Sequence, residues 1–267
     1  MKKSTAAVSA VVLAVAGVGG YLYWQQREAA PADAPAPVEA PVAAAPEVPA
    51  PAPEPAPHYP IAAPEVPEAA GAEVDPDAKL LAALRALFGA SVDTLFITTD
   101  IVRRIVVTVD NLPREKVARR LMPVKPVPGP MATAGSGDAL VLDESNAARY
   151  RTYIHLVDTV PTAAVVDAYV RNYPAFQQRY VELGYPDGYF NNRLVEVIDH
   201  LLAAPELAGP LRLAQPKVLY TFADPELEKL SEGQKIMLRM GPDNAARVKA
   251  KLREIRAAVT KHTRSAQ

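Results

Sequence analysis

The sequence predicts a mainly α protein: a single helical domain with one or two small β-hairpin elements, preceded by a transmembrane helix and a disordered linker. Three observations predict it. Residues 4–26 form an uncharged run behind Lys2 and Lys3. Fourteen of the 27 prolines of the 267-residue chain crowd between residues 31 and 76. From residue 77 onward, leucine, isoleucine and valine recur at the three-and-four spacing of an amphipathic helix.

The uncharged run is rich in Ala, Val and Gly and has the length, about 20 residues, of a bilayer span. Tyr21, Tyr23 and Trp24 close it, rings that settle at a membrane interface. Positive charge on the near side places the amino terminus in the cytoplasm and the rest outside, a single-pass protein of the inner membrane with a periplasmic domain. The competing reading is a cleaved signal peptide, since Ala14-Val15-Ala16 has the small-x-small form. The boundaries that follow are a stub and anchor over 1–28, a linker over 29–76, a helical domain over 77–261 and a tail over 262–267.

The linker is almost wholly Pro, Ala, Glu and Val. Proline removes backbone donors and fixes φ, so neither helix nor sheet propagates there. Too little apolar surface offsets the ordering entropy. Extended polyproline II backbone would reach on the order of 140 Å. Ten acids and no Lys or Arg lie between Glu28 and Ala78, against 26 basic and 20 acidic residues from Lys79 onward. The net charge of −1 therefore hides a mildly basic domain on an acidic tether.

The domain opens with a helix from Asp77, carrying Leu80, Leu81, Leu84 and Leu87 and closing at Gly89. A second helix is expected from Asp93 to Leu112, with Leu95, Val102, Ile105, Val109 and Leu112 on one face. The β-branched run Ile105–Val109 would also suit a strand, but helical spacing holds through it. Arg103 and Arg104 sit mid-run, with Asp100 and Asp110 as pairing partners. Pro113 starts a short basic helix to Leu121. Gly135-Ser136-Gly137-Asp138 makes a hairpin turn between Met131–Thr133 and Ala139–Leu142. Asp143 to Asn146 caps a helix to Asp158. Pro161 begins another, which Pro174 should kink or restart. After the corner Gly184 to Gly188, a helix from Tyr189 to Ala203 buries Phe190, Leu194, Val197, Ile198 and Leu201, with Arg193, Glu196 and His200 along another face. Leu211–Leu213 and Lys217–Phe222 form two short strands. Asp224-Pro225 starts a helix to Arg239, and Asn244 to Lys261 forms the last, with Val248, Leu252, Ile255 and Val259 on one side.

Chemistry-bearing patterns are sparse. Cysteine is absent, which removes disulfides, thiolate nucleophiles and cysteine-based zinc sites. Only His155 and His200 lie in the domain, with no third ligand evident beside Glu196 and His200, so no metal site is expected. Gly135-Ser136-Gly137 lacks the strand-to-helix elbow of a serine hydrolase. Neither a Walker A loop nor a dinucleotide fingerprint is present, no cofactor is expected, and no nucleic-acid motif appears. Glu144, Glu182, Glu196 and Asp199 are candidates for the paired carboxylates of a glycosidase. The strongest concentration is of Tyr, Arg and Asn: Arg149, Tyr150, Tyr185, Tyr189, Asn191, Asn192 and Arg193. Tyr and Arg dominate binding surfaces, and the same side chains also build hydrogen-bonded cores. A solvent-facing groove would favour the first reading, mutual burial the second.

Arg103 to Pro113, Asn146 to Tyr150, Tyr185 to Asp199, Phe222 to Pro225, Leu230 to Lys235 and Arg239-Met240-Gly241 together resemble a family of Gram-negative bacterial proteins defined only as a domain of unknown function. The resemblance covers roughly Asp77 to Thr260. It implies a membrane-anchored protein with a proline-rich spacer and brings no activity, ligand or catalytic residue. The expected function is therefore a membrane-tethered envelope binding or scaffolding protein without catalysis, partnered by an envelope protein or cell-wall polymer and held to the inner membrane through residues 4–26. The alternatives are a cell-wall-acting hydrolase with paired carboxylates and a periplasmic assembly or chaperone factor.

Overall fold

A computed structural model describes Tyr59, Ile61 and residues 75–262. Its helices begin with α1 (Pro76–Phe88), α2 (Ser91–Leu95) and α3 (Ile101–Asn111). A 3-10 turn spans Glu144–Tyr150 and runs into α4 (Arg151–Thr159). Then come α5 (Thr162–Glu182), α6 (Phe190–Leu202), α7 (Pro225–Glu228), α8 (Glu232–Arg239) and α9 (Pro242–His262). Strands β1 (Thr133–Ala134) and β2 (Val141–Leu142) form one antiparallel hairpin; β3 (Leu213–Ala214) and β4 (Thr221–Phe222) form the other.

The fold class expected from the sequence is corrected on its membrane span. Among the described residues no helix is long and apolar enough to cross a membrane, and the described fold is a mainly helical domain with two small hairpins. The physical reason is charge. The longest helices, α5 and α9, carry ionisable residues along their length, including Asp167, Arg171, Arg179 and Glu182 on the first. Residues 4–26 lie outside the described residues, as does the tail from 263 onward and all of the linker before Asp75 except Tyr59 and Ile61.

The core forms where the apolar faces of α1, α3, α5, α6 and α9 meet. Val248, Leu252, Ile255 and Val259, one stripe of α9, have no exposed surface. Each such side chain contributes at most roughly 1.5–3 kcal/mol of burial. Ile105 to Val109 is helical and buried throughout: a β-branched run takes the helical state when three sides of the helix are packed, because packing outweighs propensity. A second, smaller core of Met131, Leu140, Leu211, Leu213 and Phe222 lies under the hairpins. The hairpins join edge to edge, with the Leu142 amide donating to the Leu211 carbonyl and the Leu213 amide to that of Leu140, both at 2.9 Å.

Several boundaries differ from expectation, each for a local reason. The stretch expected as one helix from Asp93 to Leu112 is two, α2 and α3. Phe96 leaves the helix to bridge Val124, and Asp100 sits in the left-handed region at φ 52°. Asp75, not Asp77, caps α1. The Asp77 carboxylate instead accepts the Val102 amide at 3.0 Å, so one helix caps the next. The basic stretch after Pro113 makes only a 3-10 turn, Arg119–Leu121. Pro174 does not break α5, which continues through it. The helix expected from Asp224 to Arg239 divides at Ser231, whose hydroxyl accepts the Gln234 amide and caps α8.

Candidate functional site

The expected site residues do not converge on one groove; they fall into three hydrogen-bonded groups. Arg149 and Tyr150 belong to the 3-10 turn before α4. The Arg149 guanidinium donates to Asn146 at 2.9 Å and to the Pro128 and Gly129 carbonyls. Tyr150 is 1% exposed, and burial pushes its phenol up to about 12. Asn146 is fully buried and ties Ala132 to the Arg239 carbonyl. This group locks the hairpin region to α8 and carries no free surface at Tyr150.

The second group centres on Asp110, at the end of α3. Its side chain is 4% exposed. One carboxylate oxygen accepts Arg193 Nε at 3.1 Å; the other accepts Arg114 at 2.5 Å and the Tyr185 hydroxyl at 3.4 Å. Arg193 also donates to the Asp110 carbonyl at 2.9 Å and to Glu196 at 3.3 Å. Tyr185 lies flat on Tyr180, ring centroids 4.6 Å apart. A carboxylate this buried is compensated only by full pairing, and here three donors supply it. Arg103 and Arg104, the partners expected for Asp110, are elsewhere. Arg104 caps the Thr99, Arg120 and Met122 carbonyls.

The third group is the first turn of α6. Gln177, on α5, pins the corner: its amide donates to the Gly188 carbonyl at 2.7 Å, while its oxygen accepts Tyr173 and the Phe190 amide at 3.0 and 2.8 Å. Tyr169, Phe176, Phe190 and Tyr180 stack behind it. On this support stand Asn191 and Asn192. Asn191 has no exposed surface. Its Oδ1 accepts the Tyr169 hydroxyl at 3.0 Å and its Nδ2 donates to the Tyr59 carbonyl at 2.8 Å. The Asn192 Oδ1 accepts the Tyr59 amide at 3.1 Å. Two adjacent side-chain amides thus hold both polar groups of one peptide residue, as a strand edge would. Tyr59 packs on the main core, and Ile61, 9% exposed, is part of it. The Tyr59 hydroxyl faces Arg256, whose guanidinium is raised first by its hydrogen bonds to Asp199 and also by Tyr59. Tyr189, 38% exposed, borders this turn.

The sequence concealed the parts of Gln177 and Tyr59, and the partners of Asp110. Asp110 is expected to pair with Arg103 or Arg104 and is held by Arg193 and Arg114 instead, while Gln177 looks like an ordinary surface polar residue although its partners lie only 4 to 13 positions away. Tyr59 did carry a signal. It is the sole aromatic between Trp24 and Phe88, and Ile61 is the first isoleucine of the chain.

No arrangement among the described residues resembles a catalytic centre. His200 Nε2 is 2.7 Å from the Ser231 hydroxyl, but that hydroxyl caps α8 and is buried. Burial, and then the Arg193 charge, lower the His200 pKa, which favours the neutral ring beside the serine. Glu182, Glu196 and Asp199 are each paired with an arginine. No group of three His, Asp or Glu side chains fit for a metal occurs among the described residues. An open cavity of about 470 Å³ lies between the Leu207–Arg212 loop and α7, away from every expected site residue.

Compared with known proteins, the chain finds no match among curated proteins and none among solved structures. A family model does match, over residues 101–256, from the start of α3 to the Arg256 that faces Tyr59. That match takes in all three hydrogen-bonded groups on the domain and more than half of the chain, and the chain belongs to the family described as protein of unknown function DUF3014.

Proposed function

We propose that the domain is a non-catalytic binding module, a scaffold that grips a protein segment at the first turn of α6. One observation carries this reading: Asn191 and Asn192 hold the amide and carbonyl of Tyr59, a residue outside the helical domain in sequence. Backbone recognition by a fixed pair of hydrogen-bonding groups supplies affinity for extended chain, and neighbouring side-chain pockets supply specificity. The supports are stiff, because Asn191 is oriented by Tyr169 and the turn is pinned by Gln177. The proposed partner is an envelope protein. Arginine pairing at Glu182, Glu196 and Asp199 favours binding over the paired-carboxylate hydrolase, whose carboxylates would face substrate.

A photo-reactive residue in place of Tyr189, the exposed neighbour of the asparagine pair, tests the proposal in cells. It should form an adduct with a protein partner, and Asn192→Ala should abolish that adduct. Crosslinking that persists unchanged in Asn192→Ala, or release of cell-wall fragments by the purified chain, would refute it.

A further inference from the structure

We infer that Tyr59 and Ile61 are a built-in occupant of this site: they define the ligand as a segment with a tyrosine followed two residues later by a branched aliphatic, and they compete with that ligand. The inference rests on the binding reading above and gives it chemistry and regulation.

The ligand class follows from the contacts. Tyr59 and Ile61 both pack on the main core. The tyrosine is read at three levels. Its peptide groups bind Asn191 and Asn192, its ring lies on the core, and its hydroxyl meets the Arg256–Asp199 pair. A phenylalanine would satisfy the first two and leave the third unmade. The proline that follows Tyr59 in the sequence restricts its backbone, so less conformational freedom is lost when the segment is held.

The occupant is suited to release. It is gripped through two hydrogen bonds between neutral groups and two apolar side chains, while the residues between Ile61 and Asp75 keep it attached. Covalent attachment makes its binding intramolecular, with an effective concentration in place of a free one. A covalently attached segment at that concentration masks the site against a free ligand of similar chemistry, by the factor with which the closed state outweighs the open one. An incoming segment must therefore be better matched or more concentrated. Once bound, it frees the chain before Asp75.

The test uses the full chain and a fluorescein-labelled peptide of residues 55–65, followed by fluorescence anisotropy. Tyr59→Ala/Ile61→Ala vacates the site. This variant should bind the peptide at least about tenfold more tightly than wild type does. Adding Asn192→Ala should remove the gain, and a peptide carrying Tyr59→Phe should bind more weakly. Far-UV circular dichroism checks that the variant folds; if loss of Ile61 unfolds it, Tyr59→Ala alone should still give a smaller gain. Equal binding to wild type and to the folded vacated variant would overturn the masking and leave the binding module standing. No binding to the folded vacated variant would overturn both.

Discussion

Asp110→Asn perturbs a buried carboxylate that three side chains engage. The side chain is 4% exposed and its two oxygens accept from Arg193, Arg114 and Tyr185. Asparagine keeps the shape and one acceptor, but places an NH2 group against the Arg114 donor or the Arg193 donor. The two arginines are not equal. Arg114 is 52% exposed, and an exposed pair contributes about 0–1 kcal/mol. Arg193 is 24% exposed, and its charged hydrogen bond is worth roughly 1.5–3 kcal/mol. The Arg193 bond to the Asp110 carbonyl survives the change, which limits the damage. The sum is a loss of about 1.5–4 kcal/mol. With a urea m-value of roughly 2 kcal/mol/M, the unfolding midpoint should fall by about 1–2 M with an unchanged slope. Arg193→Met should cost a similar amount, and the double variant should cost less than the two added together, since the pair is then gone as a unit. A midpoint shift below about 0.3 M, or strict additivity of the two changes, would refute the role given to Asp110.

Two further outcomes follow from the same packing. Gly233→Ala should destabilise by about 1–3 kcal/mol, because the added carbon would meet the Leu112 carbonyl oxygen at 2.8 Å and Leu201 at 2.7 Å; calorimetry should show Tm lower by roughly 3–10 °C. His200 sets a pH dependence. Its folded pKa lies below the ordinary 6.5, so the unfolded chain binds the proton more readily, and stability present above 6.5 is lost as pH falls toward the folded value. Denaturation between pH 7.5 and 5.5 should show this loss in wild type and less of it in His200→Gln. An identical pH dependence in the two proteins would remove His200 as the cause.

Much of the fold was legible because it rests on periodicity and caps. The stripe of α9, the core face of α6, the hairpin turns and the caps at Asp143 and Asp224 are all local patterns, and the structure follows them. Ile105–Val109 was readable as helix on spacing alone, despite its β-branched composition. Boundaries were less legible. The break between α2 and α3 depends on a bridge from Phe96 to Val124, and the cap of α3 comes from Asp77 on another helix. Neither is visible to a window of neighbouring residues.

The candidate site shows the same division. The corner from Gly184 to Arg193 stood out by composition, and its residues do organise the domain. What separates them is direction. Adjacent residues on α6 point about 100° apart, so Arg193 turns toward Asp110 while Asn191 and Asn192 turn toward Tyr59. Arg149 and Tyr150 join a different group altogether. The sequence by itself determined the helical class, the chemistry available and the absence of thiols, because these depend on residue identity and short-range spacing. Which polar groups are spent on one another, and which hold Tyr59, was decided only in the tertiary structure. Those pairings join residues up to 133 positions apart, and no local rule encodes the orientation of a side chain toward a partner so distant.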